Sequence, residues 1–114
     1  MTETSVSIWQ AKRTEESRTV EEVLLRVGGF ARADAYRYNS ASIRVRVIDP
    51  RFEGLSFDQR DTMIEPYLQQ LPERTYGDII TLYPFAPSEL VQTPKTFREY
   101  LLNVEFEEPS PSML

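Results

Sequence analysis

Apolar residues recur at two different spacings along this chain, and each change of spacing marks an element. Val20, Val23, Leu24 and Val27 lie three or four apart, the period of one helix face. Thr19 and Glu22 form a Thr-x-x-Glu capping box, and Gly28-Gly29 offers a left-handed exit, so a short amphipathic helix is predicted over 19–27. From Ala33 the period becomes two. Ala33, Ala35 and the run Tyr36 to Tyr38 lead to the turn Asn39-Ser40-Ala41. In Ser42 to Ile48, Ile43, Val45 and Val47 then alternate with Arg44 and Arg46. Strands joined by so short a turn predict an antiparallel hairpin.

Pro50 and Gly54 punctuate the next loop. Pro50 holds Asp49 extended, and Gly54 is placed for a turn closed to larger residues. Ser56 and Gln59 make a second capping box, with Asp58 in the first turn. Met63, Ile64, Tyr67, Leu68 and Leu71 then carry a helix over 57–70 that stops before Pro72, with a kink at Pro66. Tyr76 to Tyr83 is a third predicted strand, bounded by Pro84. Pro87-Ser88-Glu89-Leu90 opens a helical turn that Pro94 interrupts, and 95–102 is helical, with Phe97, Tyr100 and Leu101 on one side. Residues 1–18 are expected to form a frayed polar tail whose Trp9 packs loosely on the domain. Residues 104–114, with Glu105, Glu107, Glu108, two prolines and two serines, form an extended acidic tail.

The order is therefore α-β-β-α-β-α, in a domain spanning 19–103. It predicts an α+β fold, a two-layer sandwich whose three-stranded mixed sheet carries its helices on one face. The other face, with Arg44 and Arg46, is expected in solvent.

Composition narrows the chemistry. The 114 residues include no cysteine and no histidine, which removes disulfides, thiolate nucleophiles, imidazole bases, and sulfur or imidazole metal ligands. Eighteen acidic residues against thirteen basic give a net charge of −5, so the chain as a whole has no pull towards nucleic acid or anionic lipid. Residues 1–10 lack a basic region followed by an apolar run, and no apolar stretch approaches the ~20 residues that cross a bilayer. A cytoplasmic chain with no membrane segment is expected.

Arg51-Phe52-Glu53-Gly54, followed by Arg60 and Met63-Ile64, resembles the BolA family, in which an Arg-Phe-x-Gly loop follows the second strand. The likeness continues through Leu68, Leu71 and the apolar run Ile79 to Tyr83. It implies a class II KH-like α+β sandwich, the arrangement reached above from periodicity. It further implies a non-enzymatic regulatory or adaptor role, with Arg51, Phe52, Gly54 and Arg60 at the protein-docking region. The family's Arg-His-Arg triplet is here Arg60-Asp61-Thr62. Members that share an iron–sulfur cluster with monothiol glutaredoxins use a histidine near the end of the third strand, where this chain has Leu82-Tyr83-Pro84. Cluster ligation of that kind is not available to it, and no cofactor is expected.

Charge is unevenly spread. Residues 32–51 hold five arginines against Asp34 and Asp49, whereas 52–108 hold four basic residues against eleven acidic. Tyr36 and Tyr38 interleave with Arg44 and Arg46, and an aromatic–arginine sheet face can stack single-stranded bases. A weak nucleic-acid-binding module is therefore the alternative reading, although the Gly-x-x-Gly loop of a KH site is missing. The plainer expectation for these arginines is a solvated strand face paired with the acidic tail. Phe52 is expected to anchor its loop, Arg51 to bind carbonyls or Asp49, and Ser56 to cap its helix. Asp58, Asp61 and Glu65 line one flank of the second helix at spacings any solvated helix face shows, and no metal site is assigned to them. The expected partner is a protein, met by a monomer or weak homodimer.

Overall fold

The computed structural model describes residues 8–90 and 97–112. The interruption expected at Pro94 and the helix start expected at Lys95 lie outside the described residues. Helix α1 (Glu15–Glu22) begins earlier than its apolar stripe suggests. Its cap is Thr14, whose hydroxyl accepts from Ser17 N at 3.2 Å while Ser17 Oγ accepts from Thr14 N at 2.9 Å. Glu15 and Glu16 then occupy the positive end of the helix dipole. Thr19, expected as the cap, is inside the helix and donates to Glu15 O. The next turn, Val23–Val27, is wound as a π-helix, and Gly29 at φ +67° leads the chain out. Strands β1 (Arg32–Asn39) and β2 (Ser42–Ile48) form the expected antiparallel hairpin, with Ala35 opposite Val45.

A 3₁₀ turn over Pro50–Phe52 leads to α2 (Phe57–Leu68), capped by the Ser56–Gln59 box. This helix ends two residues sooner than expected, with Pro66 in its last turn. Tyr76, Gly77 and Asp78, expected in a strand, belong instead to the short helix α3 (Glu73–Asp78). Strand β3 (Ile79–Phe85) starts only at Ile79 and continues through Pro84. It lies parallel to β2 in the order β1-β2-β3. As an outer strand it can hold a proline, whose missing N–H is lost only from a free edge. A 3₁₀ turn over Pro87–Leu90 and helix α4 (Phe97–Glu107) complete the described chain. The fold is α+β around a three-stranded mixed sheet, as the periodicity predicts.

Both faces of that sheet are covered. On one, Val20 of α1, Leu24 of the π-helical turn after it, and Ile64 and Leu68 of α2 bury Ala35, Ile43, Val45 and Val47, with Phe52 wedged at the end. On the other, Tyr36, Ile48, Tyr83 and Phe85 pack with Trp9 and Phe106. The expectation of helices on a single face is thus corrected at α4, whose last turn lies on the second face. The reason is apolar area: two tyrosines, an isoleucine and a phenylalanine share that face with the arginines, and together they reward a cover. Residues expected in the terminal tails supply it. Phe106 is fully buried, Trp9 is 3% exposed, and Trp9 Nε1 donates to Glu107 Oε2 at 3.0 Å. Among the described residues no helix is long and apolar enough to cross a membrane.

Candidate functional site

The loop between β2 and α2 is organised by one carboxylate. Asp49 Oδ1 accepts from Arg51 N at 2.8 Å and Arg51 Nε at 2.9 Å, while Oδ2 accepts from Arg51 Nη2 at 3.1 Å and Ala31 N at 3.0 Å. Burial pushes the Asp49 carboxyl up. The Arg51 side chain and the amides of Arg51 and Ala31 outweigh that and hold it below the usual carboxylate range. Arg51 lies 4.6 Å from the centre of the Phe30 ring and stays half exposed. Phe52 is fully buried, 5.9 Å from Phe30. Gly54 adopts φ +76°, a conformation that other L-residues take only with strain.

Arg60 enters from α2 and is 3% exposed. Its Nη1 and Nη2 grip Glu89 at 2.7 and 2.8 Å, Nη1 also reaches Pro84 O at 2.9 Å, and Nε donates to Leu55 O at 3.1 Å. Glu89 in turn accepts from Ala86 N at 2.9 Å. One guanidinium thereby ties the β2–α2 loop to the end of β3 and to the turn after it. Above it opens a cleft of about 400 Å³, lined by Glu53, Gly54, Leu55, Ser56 and Phe57 on one side and by Ser88, Glu89 and Glu99 on the other. Of the four docking residues, Gly54 reaches the cleft wall, Arg60 forms its floor, Phe52 lies beneath, and Arg51 stands outside. Glu89 is the member that sequence reasoning missed, because its role depends on a partner 29 positions away.

The arginine–tyrosine face is not in solvent, which corrects the expectation for Arg44 and Arg46. Arg46 is 2% exposed. It donates to Asp34 Oδ2 at 2.6 and 3.1 Å and to Asn103 at 2.7 Å, and its guanidinium lies 4.5 Å from the Phe106 ring centre. Tyr36 is fully buried, and burial pushes its hydroxyl up to about 12. Arg44 stacks 3.6 Å over Tyr38 and pairs with Glu105 at 2.9 Å. Tyr38 donates to Ser110 O at 2.5 Å, while Ser110 N and Oγ donate to Glu105 at 2.9 and 2.8 Å. The acidic segment does fold back over this face, as a helix end and strap.

Ser56 caps α2, the structural role expected of it. Among the described residues no group of three or more acidic side chains is arranged to hold a metal ion. Tyr83, near the end of β3, is 5% exposed, and burial pushes its hydroxyl up.

The solution structure of BolA1 protein from Mus musculus matches with a TM-score of 0.56 at 17% sequence identity, over 100% of this chain and 86% of that chain. The fold is BolA-like. No protein-family model and no curated protein matches the chain. In this BolA-like fold Glu53 to Ser56 and the start of α2 form one lip of the cleft, and the turn after β3, with Glu99, forms the other.

Proposed function

We propose that this chain is a non-enzymatic BolA-like domain acting as a protein–protein interaction or regulatory adaptor in the cytoplasm, without iron–sulfur ligation. The cleft beside Gly54 carries the reading. It is the accessible concavity at the loop where the family resemblance is concentrated, and it combines Leu55 and Phe57 with the Glu53 carboxylate. Such a mixture of apolar surface and carboxylates, with Glu53 and Glu99 beside the paired Arg60 and Glu89, suits a peptide or domain surface better than a phosphate backbone. Arg60 and Phe52 act as its scaffold, while Glu53, Gly54 and Leu55 make contact. The absence of histidine and cysteine from the sequence supports the reading without a cluster.

The covering of Tyr36 and Arg46 supports a protein partner over nucleic acid. Both sheet edges are also blunted, which favours a monomer. The amide of Ala35 on β1 is taken by Glu21 at 2.8 Å, and β3 carries Pro84. Affinity capture from host lysate, with and without nuclease and at two salt concentrations, tests the reading. A discrete protein that survives both treatments and is lost with Glu53→Arg and Leu55→Ser supports it. Recovery of nucleic acid that disappears at high salt overturns it.

A further inference from the structure

The cleft beside Gly54 does not end at Phe57. A second hollow of about 250 Å³ shares Phe57 with it and runs between α2 and α4 over Leu82 and Tyr83. A third, of about 350 Å³, shares Asp61 and Leu82 with the second and reaches Ile80 and Tyr76. The three adjoin through these shared residues as one groove, whose second and third parts line the outer edge of β3, the side of that strand with no neighbour in the sheet.

The main chain at this edge can be read from its partners. Pro84 O accepts from Arg60 on α2, so Pro84 turns its main chain away from β2, while Phe85 O accepts from Asp49 N just beyond β2. Main-chain groups alternate between the two edges of a strand, which turns the N–H and C=O of Leu82 outward into the groove. On either side a ladder is blocked. Pro84 has no N–H, and the β2–β3 register skips Ile80, which stands 69% exposed. One main-chain pair flanked by an apolar side chain suits a short extended segment, and it disfavours the long edge-to-edge pairing of two copies.

The walls set the charge of the occupant. Asp61 has no ion pair among the described residues. Burial, together with Asp58 and Glu65, pushes its carboxyl up. Glu53 and Glu65 add two further carboxylates, whereas the Arg60 guanidinium is consumed by Glu89 and Arg98 is the remaining base. We propose that this groove takes an extended peptide segment in which lysine or arginine alternates with apolar side chains. Its main chain bonds Leu82, its apolar side chains meet Ile80, and its cations meet Asp61 and Glu65. The inference rests on the docking reading above and extends that site along β3.

The test is a titration of the full ¹⁵N-labelled chain with capped Lys-Val-Lys-Val-Lys-Val, followed by NMR. A block peptide, Lys-Lys-Lys-Val-Val-Val, and a Glu-for-Lys peptide serve as controls. Saturable shifts are expected at Asp61, Ile80 and Leu82, with at least tenfold weaker binding for both controls and for Asp61→Lys with Glu65→Lys. The milder pair Asp61→Asn and Glu65→Gln, if the lysine variant unfolds, should weaken binding at least threefold. Equal binding of the two lysine peptides, shifts centred on the acidic first turn of α1, or no saturation by millimolar peptide each overturn the proposal. Shifts confined to 53–57 and 88–89 overturn the β3 extension while leaving the docking cleft in place. Concentration-dependent shifts at Ile80 and Leu82 without peptide overturn it in favour of a second copy as occupant.

Discussion

Phe106→Ala is the sharpest probe of the second layer. The ring is fully buried, with the rings of Tyr36, Trp9 and Tyr83 centred 4.9, 5.4 and 5.5 Å away and the Arg46 guanidinium 4.5 Å from its centre. Removing a buried phenylalanine costs about 3–5 kcal/mol. The end of α4 can partly collapse into the space, which places the loss at about 3 kcal/mol. That is a large share of the roughly 5–15 kcal/mol that holds a typical domain. With a urea slope of about 2 kcal/mol per molar, the midpoint falls by about 1.5 M. Trp9 is the sole tryptophan, so its fluorescence reports the second layer while far-UV circular dichroism reports the whole fold. Both should move together, and should do so again when Ile64→Ala perturbs the first layer by about 2–5 kcal/mol. A midpoint within about 0.3 M of the parent, or a fluorescence change without a shift in the dichroism midpoint, refutes the view that α4 completes a cooperative core.

Three further predictions test particular residues. Arg46→Met strands Asp34 in a buried site with the exposed Arg32 as its remaining cation among the described residues, and should cost about 3 kcal/mol. Adding Asp34→Leu should recover more than half of that in urea melts, and failure to recover removes the pair from the account. The carboxyl of Asp49 is held low, so its contribution is present above the ordinary carboxylate range and is lost as pH falls through the lowered value. Asp49→Asn should therefore lose about 1.5–3 kcal/mol at pH 7 and show a flatter stability profile as pH falls below the ordinary carboxylate range, and parallel profiles contradict this. Gly54→Ala should cost about 1–2 kcal/mol from φ +76° alone, since a Cβ there meets nothing within 4 Å. Gly77→Ala, in open space on α3, should gain about 0.5–1 kcal/mol. The reverse order in thermal melts contradicts both assignments.

What the sequence made legible was local. The alternation in Ser42–Ile48, the Ser56–Gln59 box and the turn at Gly54 all depend on neighbours a few residues apart, and all three stand in the structure. The Thr19–Glu22 box obeyed the same rule but was outcompeted by Thr14 and Ser17, where Glu15 and Glu16 add their charge to the helix start. Tyr76-Gly77-Asp78 continues the apolar run of β3 without a break. Its helical turn is held by distant contacts, among them Asp78 with Arg37 at 3.0 Å. The candidate site divides along the same line. Gly54 was placed by its own conformation, whereas the burial of Arg60, Arg46 and Tyr36 depends on Glu89, Asn103 and Phe106, all far along the chain. Alternation says which side of a sheet a residue occupies and leaves open whether another layer lies over that side.

The meeting of Trp9 with Phe106 and Glu107 bears on how the protein is made. Most of the first layer is in hand once Ala86 has been added, but Tyr36, Tyr83 and Phe85 wait for residues at the far end of α4. The ribosome adds roughly 5–20 residues per second, so the stretch from Phe85 to Phe106 leaves an aromatic sheet face open for on the order of seconds. An apolar surface exposed in that way is what aggregates with neighbouring chains during folding. A circular permutant that joins the two ends and opens the Asn39-Ser40-Ala41 turn would make Tyr36 only after Phe106, while leaving Tyr83 and Phe85 the same wait.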